Sequence, residues 1–394
     1  MNKPSVIVAF GGVSPEHEVS VLTGIQALSA LEDSTYHTLP LYISKSGKWF
    51  TGENLRDLKN YENLSTLTSA ATPCTLTHQA DGSAVIKTIN SGFFSRSEEF
   101  PVYAILTSFH GSYGENGSFQ GICETFNVPY TGSGVLASSV GMDKVTAKKL
   151  CKIEGIPVVD GIDFTESQWV ENKSEILGQV AGLGKTCIVK PVHLGSSIGV
   201  EIVKNEEETI TAVETAFRYD HHLLVERVIS PLTEINCSVM GTTDDCRASV
   251  CERPMGREEF LSFVDKYQSD GASKGMASAD RVIPADIDEG LAESIQNTAI
   301  RVFKTLNASG LARLDFLVNS DTGEFYFNEI NTIPGSFSFY LWKENGIDFL
   351  SLLDELIKIA VQEHQKKNGR VQSYETNLLS QKAVKGMKGL KTSK

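Results

Sequence analysis

Apolar and polar positions alternate in regular runs along most of this chain, and the most informative run lies between Gly310 and Ser336. Ala312, Leu314, Phe316 and Val318 alternate with Arg313 and Asp315, which predicts a strand over 311–318 with one apolar and one charged face. Residues 320–323 read as a turn and 324–330 as the return strand, which ends in Glu329-Ile330-Asn331. If the turn is odd in length, Asp315 lies opposite Glu329 and Arg313 opposite Asn331. Two carboxylates and an amide then converge beside a guanidinium, and oxygen ligands of that kind suit a hard cation such as Mg²⁺. A surface hairpin with a solvated charged face gives the same alternation.

The N-terminal pattern is an apolar run at 6–10, a Gly11-Gly12 turn, a helical stripe and a second apolar run at 39–43. It predicts a β-α-β opening and a parallel sheet, with Ser14 as helix N-cap and Pro15 at the first helical position. Val21, Leu22, Ile25 and Leu28 mark the buried stripe. Gly11-Gly12 lacks the Gly-x-Gly-x-x-Gly spacing of a dinucleotide site. Glu16 and Glu18 fall in the first helical turn, where acids complement the helix dipole. At the carboxyl edge of a sheet Glu16 is also placed to receive an ammonium group. Residues 45–100 are polar and irregular, with a hairpin at Asp81-Gly82, and read as an insertion without chemistry of its own. A buried strand at 102–106 runs into a glycine-rich stretch from His110 to Gly117. That stretch suits close approach of backbone to a ligand, or a plain surface loop with His110 as a satisfied polar group.

Helices are predicted at 135–141 and 144–154, stopped by Gly155-Ile156-Pro157. Beyond Ile162 the pattern changes to longer antiparallel strands with two helices between them. The strand at 187–190 ends in Lys190, and the loop from His193 to Gly199 offers N–H and hydroxyl donors suited to phosphates. It is not the Gly-x-x-x-x-Gly-Lys-Ser/Thr loop. Strands through Glu226 and Glu234, with Leu224, Val225, Val228 and Ile229, form a ledge of the sort adenine and ribose require, or carry two exposed acids. Lys266 and Tyr267 open a polar run through Gly271 and Gly275, of a kind that orders over a ligand or stays an inert loop. An amphipathic helix at 285–306 leads into the hairpin. Aromatic residues at 337–342 and a helix from 347 to about 364 close the core. The basic tail beyond Lys366 reads as a solvated extension.

Length and composition narrow the class. A chain of 394 residues holds about two or three domains. A formal charge of -13 speaks against a nucleic-acid binder, and no apolar run is long enough to span a bilayer. Met1 to Ser5 lead directly into a strand, so no signal peptide is expected. Seven cysteines, an odd number without a Cys-x-x-Cys pair, point to reduced thiols in a cytoplasm.

Several motifs occur together: Gly11 to Ser20 (GGVSPEHEVS), His110-Gly111 through Gly117, Tyr130-Thr131-Gly132-Ser133-Gly134, Met142-Asp143-Lys144, Lys190-Pro191 through Gly199, Arg313-Leu314-Asp315, and Glu329 to Gly335 (EINTIPG). In this order the chain resembles the D-alanine–D-alanine ligases, which are ATP-grasp enzymes, over nearly everything from 6 to about 359. The resemblance implies a three-domain ATP-grasp fold of mixed α/β and α+β class. Its parts would be an N-terminal parallel α/β substrate domain at 1–141 with an insertion at about 45–100, a central subdomain at 142–230, a C-terminal antiparallel-sheet subdomain at 231–366 carrying the metal site, and a basic tail at 367–394. It further implies that Lys144 and Lys190 hold ATP phosphates with Ser196 and Ser197. Glu226 and the backbone near Val228 would meet adenine, and Glu234 ribose. Asp315, Glu329 and Asn331 would bind two Mg²⁺, for which Mn²⁺ substitutes. Glu16 would hold the ammonium of the first D-alanine, in a triad with Ser196 and Tyr267, with His110 lining the same pocket. Arg313 and the Gly335 N–H would steady the oxyanion, and Lys266 the transferred phosphate. The implied chemistry is phosphorylation of one carboxylate by ATP and attack by a second amine, in peptidoglycan precursor synthesis. The implied partners are small molecules, ATP and D-alanine, and a second copy in a homodimer.

One stretch departs from the family pattern. Many members place a serine a few residues after the Pro-Gly to meet the second substrate's carboxylate. Here Ser336, Ser338 and Tyr340 all carry hydroxyls in an aromatic run, so D-serine, D-lactate or another amino acid remain as alternative second substrates. Lys266-Tyr267 fits users of D-alanine better than users of D-lactate. A nucleotide-binding module without catalysis is the alternative outside enzymes.

Overall fold

The computed structural model describes residues 3–89, 97–255 and 281–371. The first sheet holds β1 (Ser5–Gly11), β2 (His37–Ile43), β3 (Trp49–Thr51), β4 (Thr72–His78), β5 (Ala84–Thr88), β6 (Glu99–Pro101) and β7 (Ala104–Thr107), in the order β6-β5-β4-β3-β2-β1-β7. β1 lies in the middle of the parallel part, paired with β2 and β7, so Val8 sits between Pro40 and Leu106. Its residues Val6 to Phe10 are fully buried, as a strand covered on both faces requires.

Two expectations are corrected here. The described residues between 45 and 100 are not irregular: β4 and β5 form the hairpin expected at Asp81-Gly82, and β3 to β6 continue the first sheet as antiparallel strands. Leu55 and Leu67 from this segment pack into the same core as Tyr42 and Phe50. The short strands and polar outward faces hid that pattern. Helix α1 (His17–Ala30) also starts later than predicted. Ser14 does not cap it. Its hydroxyl accepts from the Glu16 N–H at 3.1 Å and donates to the His110 carbonyl at 2.7 Å, tying two loops together.

Helix α2 (Val135–Met142) and α3 (Lys144–Ile153) lead to the second sheet. This sheet is antiparallel, with β8 (Gly161–Thr165), β9 (Cys187–Pro191), β10 (Glu201–Val203) and β11 (His222–Arg227) in the order β10-β9-β11-β8. Helices α4 (Glu166–Leu183) and α5 (Glu206–Ala216) cover one face, burying Trp169, Ile176 and Val213 against Val189, Leu223 and Val225. A capping box, Thr165 with Gln168, opens α4.

The third sheet contains β12 (Leu232–Gly241), β13 (Cys246–Pro254), β14 (Arg281–Val282), β15 (Gly310–Asn319) and β16 (Phe325–Asn331), in the order β14-β13-β12-β15-β16. Helix α6 (Glu289–Thr305) packs Ile295, Ala299, Val302 and Phe303 on its apolar face, against Ile235, Val239, Leu314, Phe316 and Phe327. Burying each such side chain stabilises the fold by about 1.5–3 kcal/mol. The opposite face is mixed: it carries Asn236, Glu252, Arg313 and Asp315 along the middle of the strands and the apolar Met240 and Leu311 towards one end. Helix α7 (Phe349–Asn368) joins the third sheet to the first, with Leu352 and Leu356 in one core with Val8, Leu106, Met240 and Leu311.

Candidate active site

The hairpin β15–β16 pairs Arg313 with Asn331 and Asp315 with Glu329, and then shifts so that Phe316 faces Phe327. The turn is not what sets this alignment. Residues 319–324 separate Val318 from its partner Phe325, an even number, whereas the alignment was expected on condition of an odd one. Asn328 is the extra residue. A bulge at this point lets Phe327 stay in the core while Glu329 returns to the charged face. The Asn328 amide faces the same side, where its Oδ1 accepts from Lys190 at 3.0 Å.

The pairing continues across the sheet. Glu252 on β13, Asn236 on β12, Asp315 on β15 and Glu329 on β16 lie on one rung. Residues on a rung share a face, so four polar groups stand in a row. Asn236 and Glu252 escaped the sequence reading. The signal was present in β12, where Glu234, Asn236 and Ser238 alternate with the buried Ile235, Cys237 and Val239.

Arg313 grips Asp315 through Nε and Nη2, each 2.7 Å from a carboxylate oxygen, and the Asn331 amide donates to Asp315 at 3.0 Å. Burial pushes the Asp315 carboxyl upward against the pull of Arg313, and Glu329 and Glu252 add to the rise. Asp315 Oδ2 accepts from both Arg313 and Asn331, whereas Oδ1 accepts from Arg313 alone and keeps a second lone pair for a further partner. Crowded acids with spare lone pairs beside an amide are the donor set of a hard divalent cation, so the residues fit one. Behind them Glu252, only 2% exposed, accepts from Asn236 at 3.1 Å, Arg281 at 2.9 Å and the Tyr340 hydroxyl at 3.2 Å. The Arg281 guanidinium stacks on the Tyr340 ring at 3.8 Å.

Two lysines reach the same face from the second sheet. Lys144, the first residue of α3, places Nζ 3.4 Å from Glu329 and donates to the Leu194 carbonyl. Lys190, at the end of β9, reaches Asn328 and also Glu226 at 2.8 Å. Lys148, one helical turn after Lys144, pairs with the other Glu226 oxygen. Burial works against the ionised Glu226, yet Lys148 and Lys190 outweigh it and hold the carboxyl down at about 2. Burial lowers Lys148 to about 8. Glu226 thus sits behind Lys190, with both oxygens engaged, and the Val228 N–H donates to the Thr186 carbonyl at 3.1 Å.

These groups line a cleft of about 370 Å³. Its lining holds the polar groups Lys144, Lys190, Asp315, Asn328, Glu329 and Glu234 together with the apolar Leu232, Leu317 and Met255. Ser196 and Ser197 border it from the 193–199 loop, both in left-handed backbone at φ 53° and 58°. Ser196 donates its hydroxyl to Glu16. The Glu16 carboxylate lies over Gly111, where φ is +66° and a Cβ would stand 2.5 Å from Glu16 Oε2, so only glycine is accommodated.

His110 is 5% exposed and its Nε2 meets Thr23 Oγ1 at 2.8 Å. Burial takes its pKa down to about 4, which leaves a neutral ring at pH 7. Glu115 was not foreseen. It accepts the N–H groups of Gly111 at 2.9 Å and Ile333 at 3.1 Å, and burial followed by the nearby Glu16 raises its carboxyl to about 7. After Gly335, three successive residues, Ser336, Phe337 and Ser338, adopt left-handed backbone. Such a conformation costs about 1–2 kcal/mol per residue outside glycine, and strain of this kind collects at ligand sites. The Ser336 N–H donates to Thr23 Oγ1 at 3.2 Å, and the Ser338 hydroxyl is buried without a hydrogen-bond partner among the described residues. Lys266, Tyr267 and Gly271 lie outside the described residues.

Comparison with known proteins places this site in a family. Residues 5–133 match the family model described as D-ala D-ala ligase N-terminus, and 150–358 match D-ala D-ala ligase C-terminus. A D-alanine–D-alanine ligase of Thermosipho africanus is 37% identical over 381 residues, covering 97% of this chain and all of that protein. One from Bacillus cytotoxicus is 35% identical over 93% of this chain and 98% of its own length. Among solved structures, the D-alanine–D-alanine ligase of Coxiella burnetii superposes with a TM-score of 0.77 at 29% identity, covering 94% of this chain and 97% of that one. The VanG D-Ala:D-Ser ligase of Enterococcus faecalis does so at 0.75 and 28%, covering 91% and 100%. The N-terminal and C-terminal matches and the near full-length relatives agree: this chain belongs to the D-alanine–D-alanine ligase family.

Proposed function

We propose that this chain is an ATP-dependent, ADP-forming ligase that joins two D-alanines for peptidoglycan precursor synthesis. The observation that carries the reading is the convergence of Asp315 and Glu329 with Lys144 and Lys190 in one cleft, with Asn331 bonded to Asp315 beside them. A carboxylate has no usable leaving group. Transfer of the terminal phosphoryl of ATP to it forms an acyl phosphate, and the amine of the second D-alanine attacks that carbonyl and expels phosphate.

Asp315, Glu329 and Asn331 would hold two Mg²⁺, which supply charge neutralisation on the phosphates when bound. Lys144 and Lys190 would lie along the triphosphate, with Ser196 and Ser197 donating from the loop. Glu234 would meet ribose, and the segment from Glu226 to Val228 the adenine edge. Glu16, oriented by Ser196, receives the ammonium of the first D-alanine, and the neutral His110 backs that pocket. Arg313 and the Gly335 N–H steady the oxyanion, while Lys266 and Tyr267 complete the set. The three sheets suit the domain boundaries expected at 141/142 and 230/231, with the tail beginning after 366. All seven cysteines are free, which suits a reducing cytoplasm. A homodimer follows from the resemblance alone.

A second reading takes D-serine as the second substrate. Its ground is the departure of the 336–342 segment from the family pattern, where Tyr340 is bonded to Glu252 and Ser336 and Ser338 are buried. The test is to supply ATP, Mg²⁺ and D-alanine, alone and with D-serine or D-lactate, and to weigh the products. D-alanyl-D-alanine from D-alanine alone is expected. Absence of that product rejects the first reading, and a mixed product in excess of it supports the second.

A further inference from the structure

A cluster of ligand-type side chains stands apart from the rung of acids, on the second sheet. Asp220 precedes β11, and its carboxylate is almost fully buried. His193 Nδ1 lies 3.0 Å from both Asp220 oxygens, and His221 Nδ1 lies 3.2 Å from Oδ1. The two imidazoles are parallel, with centroids 5.5 Å apart and planes inclined by 7°. One ligand atom from each of the three residues falls within a 4.8 Å span.

We propose that His193, Asp220 and His221 form a binding site for a divalent transition metal of the zinc class. Four observations support it. Zinc–ligand bonds of about 2.0–2.1 Å at tetrahedral angles put neighbouring ligand atoms about 3.3 Å apart; each imidazole already stands 3.0 or 3.2 Å from Asp220 Oδ1, and the three ligand atoms lie within 4.8 Å of one another. Two imidazole nitrogens and one carboxylate select zinc, nickel or copper over Mg²⁺. With a metal on Nδ1, His193 Nε2 keeps its proton and faces Asp143 Oδ2 at 3.6 Å, the outer carboxylate that metal-bound histidines commonly have. His221 is largely exposed, which leaves a route for the ion and a place for a water as fourth ligand.

The location gives the site a consequence. His193 opens the loop that carries Ser196 and Ser197, and Asp143 caps the helix that begins with Lys144. An ion held by residues 193, 220 and 221 would tie the base of that loop to β11 and stabilise the fold around it.

The test is a calorimetric titration of the full chain with Zn²⁺, under reductant and with Mg²⁺ saturating, on the wild type, His221→Ala and the double variant His193→Ala/His221→Ala. Thermal midpoints are measured with and without Zn²⁺. The expected result is one wild-type site that weakens by at least about tenfold in His221→Ala and vanishes in the double variant, with a Zn²⁺-induced rise in midpoint that disappears with it. Activity of His221→Ala with Mg²⁺ alone stays at the wild-type level and reports an intact fold. Equal Zn²⁺ affinity in the wild type and His221→Ala, or no wild-type binding below millimolar Zn²⁺, overturns the proposal.

Discussion

Ser196 donates its hydroxyl to Glu16 across 180 positions of sequence, joining the loop after β9 to the start of α1. The bond spans the first and second sheets, so it orients the acid expected to hold a substrate ammonium. Hydrogen bonds to charged groups contribute about 1.5–3 kcal/mol. Ser196→Ala is therefore expected to lower kcat/KM for D-alanine by roughly 10- to 100-fold, with thermal unfolding close to wild type. Steady-state kinetics at saturating ATP reads the difference, and unchanged kinetics would remove the assignment.

Glu226 with Lys148 and Lys190 is a buried ionic triad, and removing one partner strands charge in the interior. Glu226→Gln is expected to destabilise the protein by about 3–5 kcal/mol in urea unfolding. The pH dependence has a definite sign. The folded pKa of about 2 lies below the ordinary value of 4.5, so the wild-type advantage is present above pH 4.5 and is lost as pH falls towards 2. The stability gap between wild type and variant should narrow on acidification from pH 5 to 3.

Glu115 has the opposite sign. Its folded pKa of about 7 exceeds the ordinary 4.5, so its contribution is complete below pH 4.5 and is lost as pH rises through 7. Relative to the wild type, Glu115→Gln should gain stability between pH 5 and 8. Thermal midpoints across that range check it, and a gap that does not change with pH would contradict the ionisation described.

The alternation of Ala312, Leu314, Phe316 and Val318 made the hairpin legible, because a strand with one buried face must show a period of two. The alignment of Asp315 with Glu329 was legible only as a condition on an odd turn, and it arises without one. A bulge at Asn328 has no simple sequence signature, so the parity was assigned to the turn. Glu115, Lys148, Asn236 and Glu252 were missed because each acts through partners distant in sequence, such as Ile333, Glu226 and Tyr340. Ser14 misled because a serine before proline has the composition of an N-cap, while the His110 carbonyl took its hydroxyl instead. Strands β3 and β6 were obscured by their shortness, since a three-residue strand carries too little pattern to register, whereas the hairpin of β4 and β5 was legible in Asp81-Gly82.

Anomalous diffraction from crystals grown with Mn²⁺ and a non-hydrolysable ATP analogue tests the metal site most directly. Mn²⁺ peaks within coordination distance of Asp315, Glu329 and Asn331, with the triphosphate between Lys144 and Lys190, are the expected result. Glu329→Gln should lose both the peaks and ligase turnover while unfolding at the wild-type temperature. Metal and triphosphate lodged away from this rung, or near-wild-type turnover in Glu329→Gln, would contradict the site.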